Sequence, residues 1–308
     1  MKVSEVVMGT IVTIQVVRRR SKAVQAATDR AFGWFYEIEE RCTRFDPQSE
    51  LMQLCAQTGV PVVVSTMLFE ALQFALMMAL ESGGAFDPTV GRRMEANGFS
   101  REHRTGQIIC TPVSPEADVS YLPDVSYLDI QLDPERRTVT LRRPLVLDLG
   151  AVAKGLAIDM AVRELAPFRD FAIDAGGDLY MGGSNPRGEP WQVGIAHPRR
   201  PGQLMDELRI SNKAVCTSGH YERGPHIEDQ RTGAVPNAPL VSAALPAVAL
   251  LSATVVADGA MLADALATAA FVLGANEGLR LVRRMGAEGL MVATNLVRYE
   301  THGLRHAA

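Results

Sequence analysis

The chain has 308 residues, of which 47% are hydrophobic and 21% are charged, and these values are ordinary for a globular protein with a sizeable core. Its formal net charge of −4 gives no sign of polyanion binding, so a nucleic-acid partner is not expected. The cysteines stand far apart with no CxxC pair, which argues against a zinc site and a disulfide framework. They are Cys42, Cys55, Cys110 and Cys216.

The N-terminal part of the chain predicts a strand followed by two helices. Residues Met8 to Val17 alternate in polarity and are rich in β-branched side chains, as is typical of a strand. Helical spacing extends from Ser21 to about Arg41. A second helix is expected to begin after Ser65, an N-cap residue type, and to end at Gly83-Gly84.

No segment of the sequence predicts membrane insertion. The longest apolar stretch, Leu68 to Leu80, contains Glu70 and Gln73 and is too short to span a bilayer. The first residues lack the basic start, apolar stretch and small-residue cleavage site of a secretory signal. We therefore expect a cytoplasmic protein as the sequence stands, or an exported one if a leader has been removed.

The second half of the chain mixes strands and helices without strict alternation. A hairpin is predicted from Thr138 to Leu149, turning at Arg143-Pro144, and a helix from Val152 to Leu165. A buried strand from Val248 to Val256 leads into a helix from about Gly259 to Leu273, followed by another helix. Further strands are predicted at Phe171 to Ile173, Leu179 to Met181, Gln192 to Ile195, Ala214 to Cys216 and Gly289 to Ala293. This order favours a single α+β domain over residues 1–308 and disfavours a doubly wound parallel fold.

The helix that begins near Gly259 carries the most informative polar residues. Nearly every position after Asp258 is apolar or small, with Asp264 and Thr268 as the exceptions, and their i,i+4 spacing places both on one face. A carboxylate there is costly unless it is paired or binds a cation, and a carboxylate with a hydroxyl suits magnesium. The helix alone is equally compatible with Asp264 meeting a lysine or arginine while Thr268 bonds to its own helix.

Two other segments suggest binding or proton transfer more weakly. Asp148 to Gly155 is a strand end that turns into a helix, where small residues and Lys154 favour an anion, although the P-loop spacing is absent. His226 stands three residues before Asp229, ahead of a glycine turn, and suits either a general acid/base or a loop-fixing histidine. No GxGxxG fingerprint supports a Rossmann fold.

Taken together and in order, several short segments resemble the ApbE family, the FAD:protein FMN transferases. They span almost the whole chain, and their number and order carry the resemblance. They are Met8-Gly-Thr10, Phe45 to Leu51, GAFDPTVG, DLGAVAKG, the Asp174 to Asp178 turn, Trp191 to Ile195, the Thr-Ser-Gly turn with Tyr221 and Arg223, HxxDxxTG and ADALATA.

The resemblance implies a compact, two-lobed α+β fold of mixed or antiparallel sheets flanked by helices, with FAD in a cleft. It implies that Asp264, Thr268 and the carbonyl of Ala151 bind Mg²⁺, and that His226 takes part in the transfer step. The positions that hold FAD in the family fall on Met8, Phe45, Ala85, Phe86, Asp87, Asp148, Lys154 and Ile227. Cys55, His220 and Gln230 depart from the family pattern.

The resemblance implies a magnesium-dependent enzyme with two partners, FAD as substrate and an acceptor protein. A serine or threonine oxygen of the acceptor would attack the FMN-side phosphorus of the FAD pyrophosphate, and AMP would leave. Two alternatives remain open, namely an FAD pyrophosphatase, in which water replaces the hydroxyl, and a binding protein that stores FAD without chemistry.

Overall fold

The computed structural model describes residues 1–18, 20–99, 108, 125–219, 227, 229, 231 and 249–306. Its strands, in chain order, are β1 (Lys2–Val7), β2 (Thr10–Val16), β3 (Val62–Val63), β4 (Ile130–Asp133), β5 (Thr138–Leu141), β6 (Phe171–Ala175), β7 (Asp178–Gly182), β8 (Trp191–Ala196), β9 (Leu204–Ile210), β10 (Lys213–Gly219), β11 (Leu250–Ala257), β12 (Glu288–Ala293) and β13 (Arg298–Glu300). Its helices are α1 (Lys22–Cys42), α2 (Glu50–Cys55), α3 (Thr66–Glu81), α4 (Gly91–Ala96), α5 (Gly150–Leu165), α6 (Ala260–Leu273) and α7 (Ala275–Arg284).

An eight-stranded sheet organises the described part of the chain. Its strand order is β1-β2-β6-β7-β10-β11-β12-β13, and each neighbouring pair is antiparallel. Two smaller antiparallel sheets accompany it, β3-β5-β4 and β8-β9. Helices and antiparallel sheets occur together, so the predicted α+β class is confirmed.

The large sheet has different layers on its two faces. The inward residues of its strands share the main hydrophobic core with α1, α3, α5 and α6. A second, smaller core joins its other face to the β8-β9 hairpin, which contributes Trp191, Ile195 and Leu208. On the helix-covered face, α5 packs against β7, and α6 packs against β10 and β11.

Local sequence explains where the helices begin. The hydroxyls of Ser21, Ser49 and Ser65 accept hydrogen bonds from backbone N–H groups in the first turns of α1, α2 and α3. The first turn of α6 is capped by another helix, because Asp159 of α5 accepts hydrogen bonds from the N–H groups of Ala260 (2.7 Å) and Met261 (3.1 Å). This contact fixes α6 relative to α5.

A glycine lets α5 and α6 approach closely. A Cβ atom on Gly155 would lie 2.4 Å from the Cα atom of Met261, so any larger residue would push the two helices apart. The crossing point follows directly after Lys154 on α5 and lies one turn before Asp264 on α6. The close approach therefore brings these two charged residues to the same place.

Most of the predicted elements are confirmed, with two corrections. The strand predicted at Met8 begins at Thr10, because Met8 and Gly9 form the tight turn of a β1-β2 hairpin. The hairpin predicted over Thr138 to Leu149 is wrong, because β5 pairs with the preceding strand β4. After Pro144 the backbone bonds to the segment before α4 instead, through Asp148 N to Pro88 O (2.8 Å) and Gly91 N to Val146 O (3.2 Å).

Within the described part of the chain, none of the helices combines the length and apolar character needed to cross a bilayer.

Candidate functional site

A cleft of about 530 Å³ opens where several elements of the main core meet. Its walls are the β1-β2 turn, the C-terminal end of α1, the loop after α3, the start of α5, the end of β10 and one face of α6. This volume is within the usual range for small-molecule and cofactor sites.

The β1-β2 turn forms one rim of the cleft in an uncommon backbone conformation. Met8 has φ 53° and Gly9 has φ 71°, so a methionine occupies the left-handed region that favours glycine. The N–H of Met8 donates a 2.9 Å hydrogen bond to Oε1 of Glu39 on α1, which holds the turn in place. The direction of the Met8 side chain is therefore set by the turn, because Met8 does not belong to a strand.

Arg44 and Asp148 form a buried ion pair in the lining of the cleft. The Arg44 side chain is only 4% exposed, and its Nε lies 2.5 Å from Oδ2 of Asp148. Oδ1 of the same carboxylate accepts a 2.7 Å hydrogen bond from the N–H of Gly150 at the start of α5. The guanidinium carbon of Arg44 also lies 4.2 Å from the centroid of the Phe45 ring, so this pair positions both an aromatic ring and a helix start.

The Asp87 carboxylate shapes the loop after α3. Its Oδ1 accepts hydrogen bonds from the N–H (2.9 Å) and hydroxyl (2.8 Å) of Thr89, and its Oδ2 accepts one from the N–H of Tyr127 (3.0 Å). Burial raises the pKa of Asp87. These bonds join the loop after α3, which carries the cleft-lining residues Ala85 and Phe86, to the backbone of Tyr127.

The first turn of α5 lines the cleft with small residues and a distorted backbone. Leu149 stands at the N-cap without a side-chain cap, and Ala151 has φ −92° and ψ 16°, outside the helical range. This ψ turns the Ala151 carbonyl away from the direction that the carbonyl groups take in the later turns of α5. The N-terminus of a helix carries partial positive charge, so this wall favours a bound anion.

Lys154 lies between two buried carboxylates. Its Nζ forms a direct ion pair with Oδ2 of Asp178, the first residue of β7, and lies 3.8 Å from Oδ2 of Asp264 on α6. The exposed fractions of the three side chains are 14%, 6% and 9%. All three line the cleft, so this cluster, called here the cleft cluster, is its most strongly charged region.

Thr268 places a hydroxyl one helical turn beyond Asp264. Its Oγ1 shares a 3.0 Å hydrogen bond with Oγ of Ser218 near the end of β10, and both residues line the cleft. The i,i+4 spacing predicted from sequence therefore does present a carboxylate and a hydroxyl to the same space.

The donors at this end of the cleft fit a magnesium ion chemically. The carboxylate of Asp264, the hydroxyl of Thr268 and the carbonyl of Ala151 are hard oxygen ligands, which Mg²⁺ prefers. Among the described lining residues, five carboxylates face two basic side chains, so a pyrophosphate entering the cleft would meet excess negative charge. The acids are Glu39, Asp87, Asp148, Asp178 and Asp264, and the bases are Arg44 and Lys154.

A thiol also lines the cleft but is not suited to nucleophilic chemistry. Cys42 is 4% exposed, and burial raises the pKa of its thiol to about 12. The nucleophilic form of cysteine is the thiolate, so Cys42 remains protonated and behaves as a small apolar residue.

All the sequence-predicted site residues that the structure describes line this one cleft. They are Met8, Phe45, Ala85, Phe86, Asp87, Asp148, Ala151, Lys154, Ile227, Asp264 and Thr268. His226 lies outside the described residues. Cys55 is buried, its Sγ accepts a 3.4 Å hydrogen bond from the N–H of Leu147, and it is not among the described residues that line the cleft. His220 and Gln230 also lie outside the described part of the chain.

Several residues that the structure places in the cleft were not predicted as site residues, among them Arg44, Asp178 and Ser218. Arg44 directly precedes the Phe45 to Leu51 motif, and Ser218 is the serine of the Thr-Ser-Gly segment, so their places at or next to a motif were the available signal. Asp178 closes a two-residue hairpin turn and ends the Asp174 to Asp178 motif, but no role was predicted for its carboxylate. Only the fold brings it to Lys154.

Comparison with known proteins agrees with this geometry. The model of the ApbE family matches residues 8–291. The FAD:protein FMN transferase of Treponema pallidum is 31% identical over 323 residues, covering 94% of this chain and 83% of that protein. The FAD:protein FMN transferase of Haemophilus influenzae is 27% identical over 265 residues, covering 80% of this chain and 72% of that protein.

A solved structure supports the same conclusion. The crystal structure of the ApbE protein from Thermotoga maritima superposes with a TM-score of 0.80 at 26% identity, covering 98% of this chain and 97% of that one. The match of the family model extends from the Met8 turn through α6, and thus includes every element that lines the cleft. The chain belongs to the ApbE family.

Proposed function

We propose that this protein is an FAD:protein FMN transferase that moves FMN from FAD to a serine or threonine hydroxyl of an acceptor protein, releases AMP and depends on magnesium. Membership in the ApbE family and the names of the relatives support the transferase activity. The observation that carries the proposal is the grouping of Asp264, Thr268 and Ala151 with Lys154 in one cleft beside a helix N-terminus.

Asp264, Thr268 and the Ala151 carbonyl are the residues that would hold magnesium. When bound, the ion supplies neutralising charge at the pyrophosphate oxygens. Lys154 adds a fixed positive charge from the first turns of α5, and the helix N-terminus orients N–H groups towards the same region. The chain thus provides positioning and charge stabilisation, which are the main requirements of phosphoryl transfer.

In the proposed reaction, the acceptor oxygen forms a new bond to the FMN-side phosphorus. The bond between that phosphorus and the bridging oxygen breaks, and the bridging oxygen leaves with its electron pair as part of AMP. The hydroxyl proton passes to a base, and we assign this role to His226 from its place in the HxxDxxTG segment. The buried ring of Phe86 and the side chains of Met8 and Phe45 offer apolar contacts for the flavin.

Incubating the protein with FAD and magnesium, with and without candidate acceptor proteins, tests this proposal. Covalent flavin fluorescence on an acceptor after denaturing electrophoresis is the expected result. Free FMN and AMP without labelled acceptor would indicate a pyrophosphatase, and unchanged FAD would indicate storage. Either of those results with a panel of acceptors would contradict the transferase function.

Binding measurements test the ligand separately from the chemistry. We expect FAD to bind more tightly than FMN, because the proposed site for the pyrophosphate, near Lys154 and the start of α5, would be filled only in part by FMN. NAD should bind weakly, since the sequence has no dinucleotide fingerprint. Equal affinity for FAD and FMN in a fluorescence titration would argue against a pyrophosphate subsite in this cleft.

A further inference from the structure

Lys154 has two buried carboxylates within reach but contacts them unequally. Its Nζ pairs directly with Asp178, whereas Asp264 lies 3.8 Å away, beyond hydrogen-bond distance. Asp264 is the only carboxylate among the residues to which we assign magnesium. A lysine that moved fully onto Asp264 would compete with the ion for the same oxygen atoms.

Backbone contacts hold each element of this cluster, so we take movement of the lysine side chain as the way in which the pairing could change. Asp178 pairs with Ala175 across a two-residue turn, in which Gly176 has φ 67° and Gly177 has φ 95°. Lys154 and Asp264 are held by the close approach at Gly155 and by the cap that Asp159 provides to α6. The lysine side chain, with its flexible stem, is the part that can move between the two acids.

We propose that Asp178 is a positioning residue: it holds the Lys154 ammonium group on the β7 side of the cleft and so keeps it from displacing magnesium at Asp264. In this arrangement the lysine remains charged and near the pyrophosphate, while the ion and the lysine occupy separate carboxylates. The inference rests on the proposed magnesium-dependent function and adds a residue that acts through Lys154.

A double-mutant cycle on magnesium binding, measured by calorimetry without FAD, tests the proposal. Asp178→Asn keeps the shape of the side chain but removes its charge, which leaves Lys154 with Asp264 as its acidic neighbour in the cleft cluster. We expect the dissociation constant for magnesium to rise at least tenfold in this variant. In the Lys154→Met background, the same Asp178→Asn change should raise it by threefold or less, because the competing ammonium group is gone.

The matched control is Asp174→Asn, which removes a carboxylate from the same hairpin at an exposed position outside the cleft lining. It should leave the magnesium affinity within twofold of the original protein. An equal loss with and without Lys154 would overturn the proposal, since it would mean that Asp178 acts as a ligand or only by its charge. A loss in Asp174→Asn as large as in Asp178→Asn would also overturn it.

The cycle remains informative if Asp178→Asn alone does not fold. The double variant Asp178→Asn/Lys154→Met removes both members of a buried pair, which destabilises less than removing one. The magnesium affinity of the double variant is then compared with that of Lys154→Met. An affinity more than threefold weaker in the double variant would contradict a role exerted through the lysine. Failure of the proposed function is recognised separately, by the absence of flavin transfer or of magnesium binding in the unmodified protein.

Discussion

Two clusters of charged residues on this molecule look alike in composition but differ in what they can bind. The cleft cluster joins Lys154 to Asp178 and Asp264, deep beside α5 and α6. The second, called here the surface cluster, joins β9 to β13 and the C-terminal segment. It consists of Asp206, Arg298, Glu300 and His306.

By spacing alone, the surface cluster is the more obvious metal site. Ligand atoms of Asp206, Glu300 and His306 all lie within 4.8 Å of one another. However, Arg298 already contacts both carboxylates, and its guanidinium cannot lose its charge in a protein. His306 bridges the same acids, with Nδ1 2.8 Å from Asp206 and Nε2 3.6 Å from Glu300. Both acids of the surface cluster are therefore already engaged by Arg298 and His306.

In the cleft cluster the fixed cation takes one acid and leaves the other beside neutral oxygen donors. Asp264 has the Thr268 hydroxyl on the next turn of its helix, and that hydroxyl bonds to Ser218. The comparison teaches that the number of acids does not identify a magnesium site. What matters is which acid the neighbouring basic residue occupies, and whether uncharged oxygen atoms face the same space.

The largest expected difference between the clusters is in catalysis. Asp264→Ala should lower the rate of flavin transfer by ~10³-fold or more, because charge stabilisation by a bound metal is worth several kcal/mol. FAD affinity should fall less than the rate, since the ion acts mainly on charge that develops during the reaction. Asp206→Ala, the matched change in the surface cluster, should keep the rate within twofold. An active Asp264→Ala protein that is indifferent to magnesium would reject the metal assignment.

The two histidines provide the next contrast. His226→Ala should slow transfer by ~10²- to 10⁴-fold with nearly unchanged FAD affinity, as for a general acid/base group. His306→Ala should leave transfer unchanged, because His306 belongs to the surface cluster. Flavin labelling quenched at fixed times measures the transfer rate of both variants, and FAD titration measures their affinity. Loss of FAD binding in His226→Ala would instead indicate a residue that holds the loop.

A smaller effect is expected at Thr268, the hydroxyl that we propose as a magnesium ligand. Thr268→Ala should reduce transfer about tenfold, because a neutral ligand contributes less than a carboxylate and water can replace it. Thr268→Ser keeps the hydroxyl and should restore most of the activity at the same magnesium concentration. If the serine variant is as slow as the alanine variant, the threonine methyl group matters more than its oxygen.

The smallest effect should be on the folding stability of the protein when a residue of the surface cluster is changed. Glu300→Ala is expected to lower the free energy of unfolding by about 1 kcal/mol or less, since the Glu300 side chain is 41% exposed and exposed ion pairs contribute little. The difference from the unmodified protein should shrink further at high salt, as screening weakens the pairs. Thermal melts at low and high ionic strength measure this. A larger loss that does not depend on salt would show that the cluster supports the fold through packing.

Much of the fold followed from local patterns in the sequence. Helical spacing from Ser21 predicted α1, and the N-cap at Ser65 predicted the start of α3, because these signals act within one or two helical turns. Two edge strands were harder to predict from the sequence, because β9 carries charged residues in a weak alternation and β13 is short. The segment after Pro144 looks like a strand, but its backbone bonds to the loop before α4.

The sequence by itself determined the α+β class, the main helices, and the shared helix face of Asp264 and Thr268, because each depends on spacing within one segment. It also carried the family resemblance, since the order of the motifs can be recognised without knowledge of the fold. Only the tertiary structure decided that Asp178 pairs with Lys154, that Arg44 supports Asp148, and that Cys55 packs away from the cleft lining. These contacts join distant segments, and no local period encodes which side chains meet when α5, α6 and β7 pack together.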